Sequence, residues 1–297
     1  MYWTKTKLSR MYNVLYINSR SAWKLVIENS NLQRWYVFSL NNRTILVTGS
    51  GSGIGKATAI MLGELGATVV VVDQNKRSSE ATVNQLRTSN VEAYGIVVDI
   101  SDSTGVDQMY QEIVNKFGKL DGVIHCAGIG IEKTILETTL EDWDRIIAVN
   151  LTGTFLCAQG AARIMVDQQY GRIVLMGSAA GERGGTGRTA YGASKGGVSA
   201  ITRVMAVELA ELGITVNALA PGAIETELVS TMHDAETRES YCARIPVNRY
   251  GSPEEVAATA VFLVCEESSY LNGVVLPIDG GFMSGGVIKR RANPSTS

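Results

Sequence analysis

The stretch Thr44-Ile-Leu-Val-Thr-Gly-Ser-Gly-Ser-Gly-Ile-Gly55 decides the fold of this chain. Its first five residues are branched and mostly apolar, the composition of a strand buried on both faces. Gly49, Gly51, Gly53 and Gly55 then end the strand. A helix follows, with Ala57, Ala59, Ile60 and Leu62 on its apolar side. In such a strand–turn–helix unit, missing side chains let backbone approach a phosphate, and the helix N-terminus offers free N–H groups and a positive dipole end. Gly49, Ser52, Gly53, Ile54 and Gly55 are therefore candidate cofactor residues. The spacing departs from G-x-G-x-x-G, because Lys56 stands where the last glycine falls when counting starts at Gly51.

Outward from this unit the same alternation repeats. Short apolar runs at 68–72, 93–98, 122–125, 172–176, 214–219 and 274–278 join Thr44–Thr48 as strands. Amphipathic stretches over 54–65, 77–88, 103–117, 140–167, 190–211 and 253–265 predict the intervening helices. This order specifies an α/β fold, a doubly wound, seven-stranded parallel sheet in a single domain over 43–288. Residues 1–42 read as an extension outside the core, and 289–297 as a polar tail. The segment 223–248 has weaker periodicity, holds Met232, His233 and Pro246, and reads as a candidate mobile lid.

Composition narrows the function classes. The 297 residues are 45% hydrophobic and 19% charged, enough for one large core. A net charge of −2 gives no basic field for nucleic acid, so a small-molecule partner is the default. Cys126, Cys157, Cys242 and Cys265 lack zinc or redox spacing, and His125 and His233 form no local metal motif. The expectation is thiols in a reducing, cytoplasmic setting and no metal. The first 42 residues hold Lys5, Lys7, Arg10, Arg20, Lys24 and Arg34 against Glu28, which makes them +5 and the remainder −7. They are rich in aromatics but carry no membrane-spanning run and no secretory h-region. A plain extension is the preferred reading, with an organelle-targeting or membrane-surface segment as the alternative.

Two further positions carry chemistry. Asp73 ends the second strand at the distance where a carboxylate bonds the ribose hydroxyls of NAD and repels the 2′-phosphate of NADP. Lys76 and Arg77 nearby keep NADP possible, and a solvated strand-end carboxylate is the bland alternative. Tyr191 and Lys195 lie four apart near a helix start and share a face. Such pairs are common on ordinary helices. Here Ser178 follows the strand 172–176 and emerges at the same sheet edge as the glycine turn. A lysine ammonium beside the phenol favours phenolate and makes tyrosine a usable base.

The chain resembles the short-chain dehydrogenase/reductase family over about 44–281. The matching motifs are Thr48-Gly49-x-x-x-Gly53-x-Gly55, Asp99, Ala127-Gly128, Asn150, Ser178, Tyr191-Gly-Ala-Ser-Lys195 and Pro221-Gly222 leading to Thr226. The resemblance implies a Rossmann fold, with Asp99 and Ile100 near the adenine and Ala127 and Gly128 along the cofactor. It places Pro221, Gly222, Ile224 and Thr226 around the nicotinamide and pyrophosphate. It also implies that Asn150 helps hold a proton-relaying water, that Lys195 bonds the nicotinamide ribose, and that the chain is a homotetramer or dimer. Bland readings stand beside these: Asp99 as a cap for the helix near Ser103, Pro221-Gly222 as a turn, and Asn150 as a tolerated kink. The family often has two asparagines where His125 and Cys126 stand, and His125 reads as a hydrogen-bonded core histidine.

The function expected is interconversion of a secondary alcohol and a ketone by hydride transfer with NAD(H). Tyr191 would be general acid/base, Ser178 would bond the substrate oxygen, and Lys195 and Asn150 would assist. The pattern is similar to NAD-linked sugar or polyol dehydrogenases and to 3-oxoacyl thioester reductases. The latter generally use NADPH and carry an arginine in the glycine turn, where this chain has Ser52. A nucleotide-binding regulator or scaffold is the non-enzymatic alternative. Arg183 and Arg188 read as solvated loop charges, or else as contacts for an anionic substrate.

Overall fold

A computed structural model describes residues 13–19, 22–28 and 38–288, and the chain divides into two compact units after Phe38. In the first, Asn13–Ser19 and Ala22–Glu28 pair antiparallel, Asn13 opposite Glu28. The side chains on which the targeting and membrane-surface readings rest lie outside the described residues, as does the polar tail 289–297.

The second unit is built on seven strands: β1 (Thr44–Thr48), β2 (Thr68–Asp73), β3 (Ala93–Val97), β4 (Gly122–His125), β5 (Gly171–Met176), β6 (Ile214–Pro221) and β7 (Val275–Ile278). Every pairing is parallel, in the order β3-β2-β1-β4-β5-β6-β7. The chain therefore reverses its winding direction beside β1, which opens a crevice between the carboxyl ends of β1 and β4. Successive β1 side chains feed opposite cores. Leu46 joins one with α3 (Ser103–Phe117), α5 (Gly153–Gln168) and α7 (Thr189–Leu209). Ile45 and Val47 join the other with α1 (Gly53–Glu64), α2 (Lys76–Thr88) and α10 (Pro253–Phe262). Two-sided burial explains why the strands read as continuous apolar runs. Leu40, assigned by sequence to the extension, is buried in the second core and its N–H donates to the Leu65 carbonyl.

Two elements differ from expectation. The helix predicted over 140–167 is α4 (Leu140–Ile147), a π-helical turn at Ala148–Thr152, and then α5. The wide turn carries the fully buried Asn150, whose amide is satisfied by a neighbouring loop rather than by its own helix. The segment 223–248 holds two short helices, α8 (Glu227–Met232) and α9 (Ala235–Arg244). Thr226 and Asp234 cap them by accepting from Val229 and Thr237. Between β5 and α7 lies the short α6 (Ala179–Glu182), which periodicity does not reveal.

Candidate active site

The glycine turn is lashed to β2 by Ser50. Its hydroxyl donates to the Val47 carbonyl (2.8 Å) and accepts from the Val72 N–H (2.9 Å). Two glycines are dictated by space. A Cβ on Gly49, whose φ is +65°, would sit 2.8 Å from the Ala127 backbone, and one on Gly55 would lie 2.2 Å from the Gly49 carbonyl oxygen. The turn thus packs backbone to backbone against Ala127. Ser52 precedes α1 with extended backbone and its side chain does not cap the helix, whose first residues Gly53, Ile54 and Gly55 line the crevice. Asp73 accepts from the Gly51 N–H (2.9 Å) and the Asn75 N–H (2.8 Å), which fixes its carboxylate at the mouth of the turn.

One cleft of about 630 Å³ is lined by every cofactor residue expected from the sequence. These are Gly49, Ser52, Gly53, Ile54, Gly55 and Asp73 at one end, Asp99, Ile100, Ala127 and Gly128 along it, and Pro221, Gly222, Ile224 and Thr226 opposite. Tyr191, Lys195 and Ser178 line it too. Asp99 does not cap α3. Asp102 does so, accepting from Thr104, while Asp99 accepts from the Ser101 N–H and hydroxyl. Thr226 caps α8 with its side chain against Gly53, which ties the lid to the glycine turn.

At the inner end, Ser178 is buried at the start of α6, where its oxygen accepts from the Ala180 N–H (3.1 Å). It is also a hydrogen-bond partner of the Tyr191 phenol. Lys195 is buried one turn along α7 from Tyr191 and donates to the Met176 carbonyl (2.8 Å). Asn150 lies behind the wall. It accepts from the Ile129 N–H (2.8 Å) and donates to the Ile129 carbonyl (2.9 Å) and the Ser194 hydroxyl (3.3 Å). A Cβ on Gly128 would stand 3.2 Å from Asn150 Oδ1 and 3.4 Å from Lys195 Nζ, so amide and ammonium meet over that glycine. Asn150 is therefore an anchored polar side chain beside the lysine.

Burial raises the Tyr191 phenol above its ordinary range, with opposing contributions from the Ser178 hydrogen bond and then the Arg188 charge, and the Lys195 ammonium lies 5.8 Å from the ring centroid. The lysine itself is held down at about 8 by burial. The Cys126 thiol is pushed up to about 12 by burial and stays neutral. His125 is buried, its Nδ1 paired with the Thr48 hydroxyl (2.9 Å), and its pKa falls to about 3 through burial and then Lys195. It is an uncharged core histidine, as its place at a buried strand end suggests.

Sequence reasoning missed Ser50 and underrated Arg188. Arg183 is an exposed loop charge that donates to the Phe282 carbonyl. Arg188 is not: its side chain is 11% exposed, it reaches His233 and Tyr241 on the lid, and its guanidinium lies 5.9 Å from the Tyr191 ring centroid. Its place three residues before Tyr191 was the available signal.

Comparison with known proteins gives concordant results. Residues 49–283 match the family described as enoyl-(acyl carrier protein) reductase. A 3-oxoacyl-[acyl-carrier-protein] reductase of Thermotoga maritima is 38% identical over 82% of this chain and 99% of its own length. A (2S)-[(R)-hydroxy(phenyl)methyl]succinyl-CoA dehydrogenase subunit of Thauera aromatica is also 38% identical, over 82% of this chain and 97% of its own. Among solved structures, a gluconate 5-dehydrogenase from Burkholderia cenocepacia in complex with NADP and tartrate superposes with a TM-score of 0.81. It is 34% identical and covers 84% of this chain and 98% of its own.

Proposed function

The chain belongs to the short-chain dehydrogenase/reductase family and is an oxidoreductase, and from that premise we propose that it interconverts a secondary alcohol and a ketone with NAD(H), using Tyr191 as proton donor and acceptor. The observation that carries this reading is the convergence of Ser178, Tyr191 and Lys195 in the cleft whose other end is the glycine turn. The cleft residues fit a nicotinamide dinucleotide. Gly49 and Gly55 leave backbone where any Cβ would intrude, the first N–H groups of α1 suit a pyrophosphate, and Asp73 suits ribose hydroxyls. Ile100, Ala127 and Pro221 would flank it.

When bound, the nicotinamide supplies or accepts the hydride. The protein manages the proton and the geometry. Ser178 holds the substrate oxygen beside the Tyr191 phenol, so that one proton passes between phenol and substrate oxygen. Lys195 adds positive charge beneath the site, and Asn150 keeps the Ile129 loop and the lysine's surroundings in register. The ammonium is protonated below about pH 8, the range in which it can stabilise phenolate.

Asp73 favours NAD over NADP, since a fixed carboxylate repels a 2′-phosphate. NADPH-dependent reduction of a 3-oxoacyl thioester is the second reading, favoured by the 38% identical reductase. We also infer a homo-oligomer, because Phe155 on α5 and Val204 and Val207 on α7 are exposed apolar side chains on the helices that the family resemblance marks as subunit contacts. We infer a reducing, cytoplasmic setting from the sequence spacing of the four cysteines, which matches no zinc or redox motif. Among the described residues, no helix is long and apolar enough to cross a membrane. A panel of polyols, sugar acids, hydroxysteroids and 3-oxoacyl thioesters, assayed with both cofactors, tests the assignment. NADH is expected to give the higher kcat/KM, and Asp73→Ala or Asp73→Asn to reduce that preference at least tenfold. A higher kcat/KM with NADPH would contradict the NAD assignment.

A further inference from the structure

Three segments meet on one partly buried cation. Arg188 precedes the first turn of α7, and its backbone is held on both sides: the Gly192 N–H donates to its carbonyl (2.6 Å), and the adjacent Gly187 carbonyl accepts from Lys133 (3.0 Å). Its guanidinium donates to His233 Nε2 (3.0 Å), at the end of α8, and to the Tyr241 hydroxyl (3.4 Å), in α9. Arginine has no acceptor, so His233 Nε2 accepts and its proton sits on Nδ1, which donates to the Tyr250 hydroxyl (2.9 Å). His233 is thus a neutral partner, in keeping with burial and then Arg188 lowering its pKa. Among the described residues, Glu132 is the carboxylate paired with Arg188, at 3.5 Å and 43% exposed. The positive charge is therefore held between two neutral side chains, His233 and Tyr241, and one partly exposed carboxylate.

What it is aimed at is the Tyr191 ring. The Arg188 guanidinium lies 5.9 Å from the ring centroid, and the Lys195 ammonium 5.8 Å. Lys195 spends a hydrogen bond on the Met176 carbonyl, whereas the partners of Arg188 are lid groups. We propose that Arg188 is a positioning residue of the reaction, a second cation that the seated lid directs toward Tyr191 to stabilise its phenolate. This rests on the assignment of Tyr191 as the proton donor and acceptor. It also gives the lid a chemical task. Seating α8 and α9 aims the guanidinium at the phenol, so closure of 223–248 and readiness of the base are one event.

The guanidinium lies 5.9 Å from the ring centroid, and a unit charge at about that range, at an effective dielectric of about 20, moves a titration by one to two pH units before screening. Phenolate is the form needed for alcohol oxidation, so a cation that stabilises it moves the rising limb of the rate to lower pH. Removing the cation moves that limb up. Lys195, Ser178 and Tyr241 also face the phenol, and Glu132 and His233 face Arg188, so the limb belongs to the group and not to tyrosine alone.

The test compares kcat against pH for alcohol oxidation in the full chain, in Arg188→Gln, and in Arg188→Met in case the first variant fails to fold. Tyrosinate absorbance is titrated alongside, as the difference between each protein and its Tyr191→Phe counterpart, and this readout needs no substrate. The neutral variants are expected to move both the limb and the Tyr191 titration up by about one pH unit, and Arg188→Lys to recover most of the shift. A purely structural role would raise KM or lower kcat equally at every pH, and an unmoved limb and titration overturn the inference. Full turnover in Tyr191→Phe would instead remove the mechanism on which it rests, so the two failures are distinguishable.

Discussion

At the scale of single residues, the placing of side chains in the cleft was legible where it followed local spacing. Tyr191 and Lys195 share a helix face by arithmetic, and Ser178 reaches them because it leaves a buried strand at the same sheet edge. Arg188 was not legible. Its lid partners lie 45 and 53 positions away, and only its place three residues before Tyr191 sets it apart locally from the exposed Arg183. Asn150 shows the same limit, since a sequence pattern cannot reveal that its amide closes a two-way hydrogen-bond pair with the Ile129 peptide. Removing it leaves the partly buried Ile129 N–H and C=O without that partner. Asn150→Ala is therefore expected to lower stability by roughly 2–3 kcal/mol in denaturant unfolding, and a loss within experimental error would show that the pair is dispensable.

At the scale of elements, the strands and the glycine turn could be read because two-sided burial imposes a composition. The π-helical turn at Ala148–Thr152 could not, because one added residue in a helical turn leaves the apolar pattern nearly intact. The lid helices escaped because α8 and α9 bury little of their surface and take their ends from the Thr226 and Asp234 caps. The turn itself makes a firm prediction. In Gly55→Ala the new Cβ would stand 2.2 Å from the Gly49 carbonyl oxygen, so the backbone that packs on Ala127 must shift. NADH binding by calorimetry is expected to weaken at least tenfold, while Gly184→Ala, where nothing lies within 4 Å, stays within twofold. Unchanged binding in Gly55→Ala would place the pyrophosphate elsewhere.

At the scale of the whole molecule, sheet order brings the site together. Residues from the ends of β1, β2, β4, β5 and β6 share one cleft because the winding reverses beside β1. Alternating strands and helices foretold the doubly wound sheet, yet the partners that meet on Arg188 come from Glu132, the end of α8 and α9, which no single pattern encodes. The proposed reaction turns on Tyr191, which lines that cleft. The most direct measurement is therefore turnover and NADH affinity in Tyr191→Phe, with the fold checked by circular dichroism. The account predicts a fall in kcat of at least a thousandfold with NADH affinity kept within about threefold, and near-normal turnover in the folded variant would contradict it.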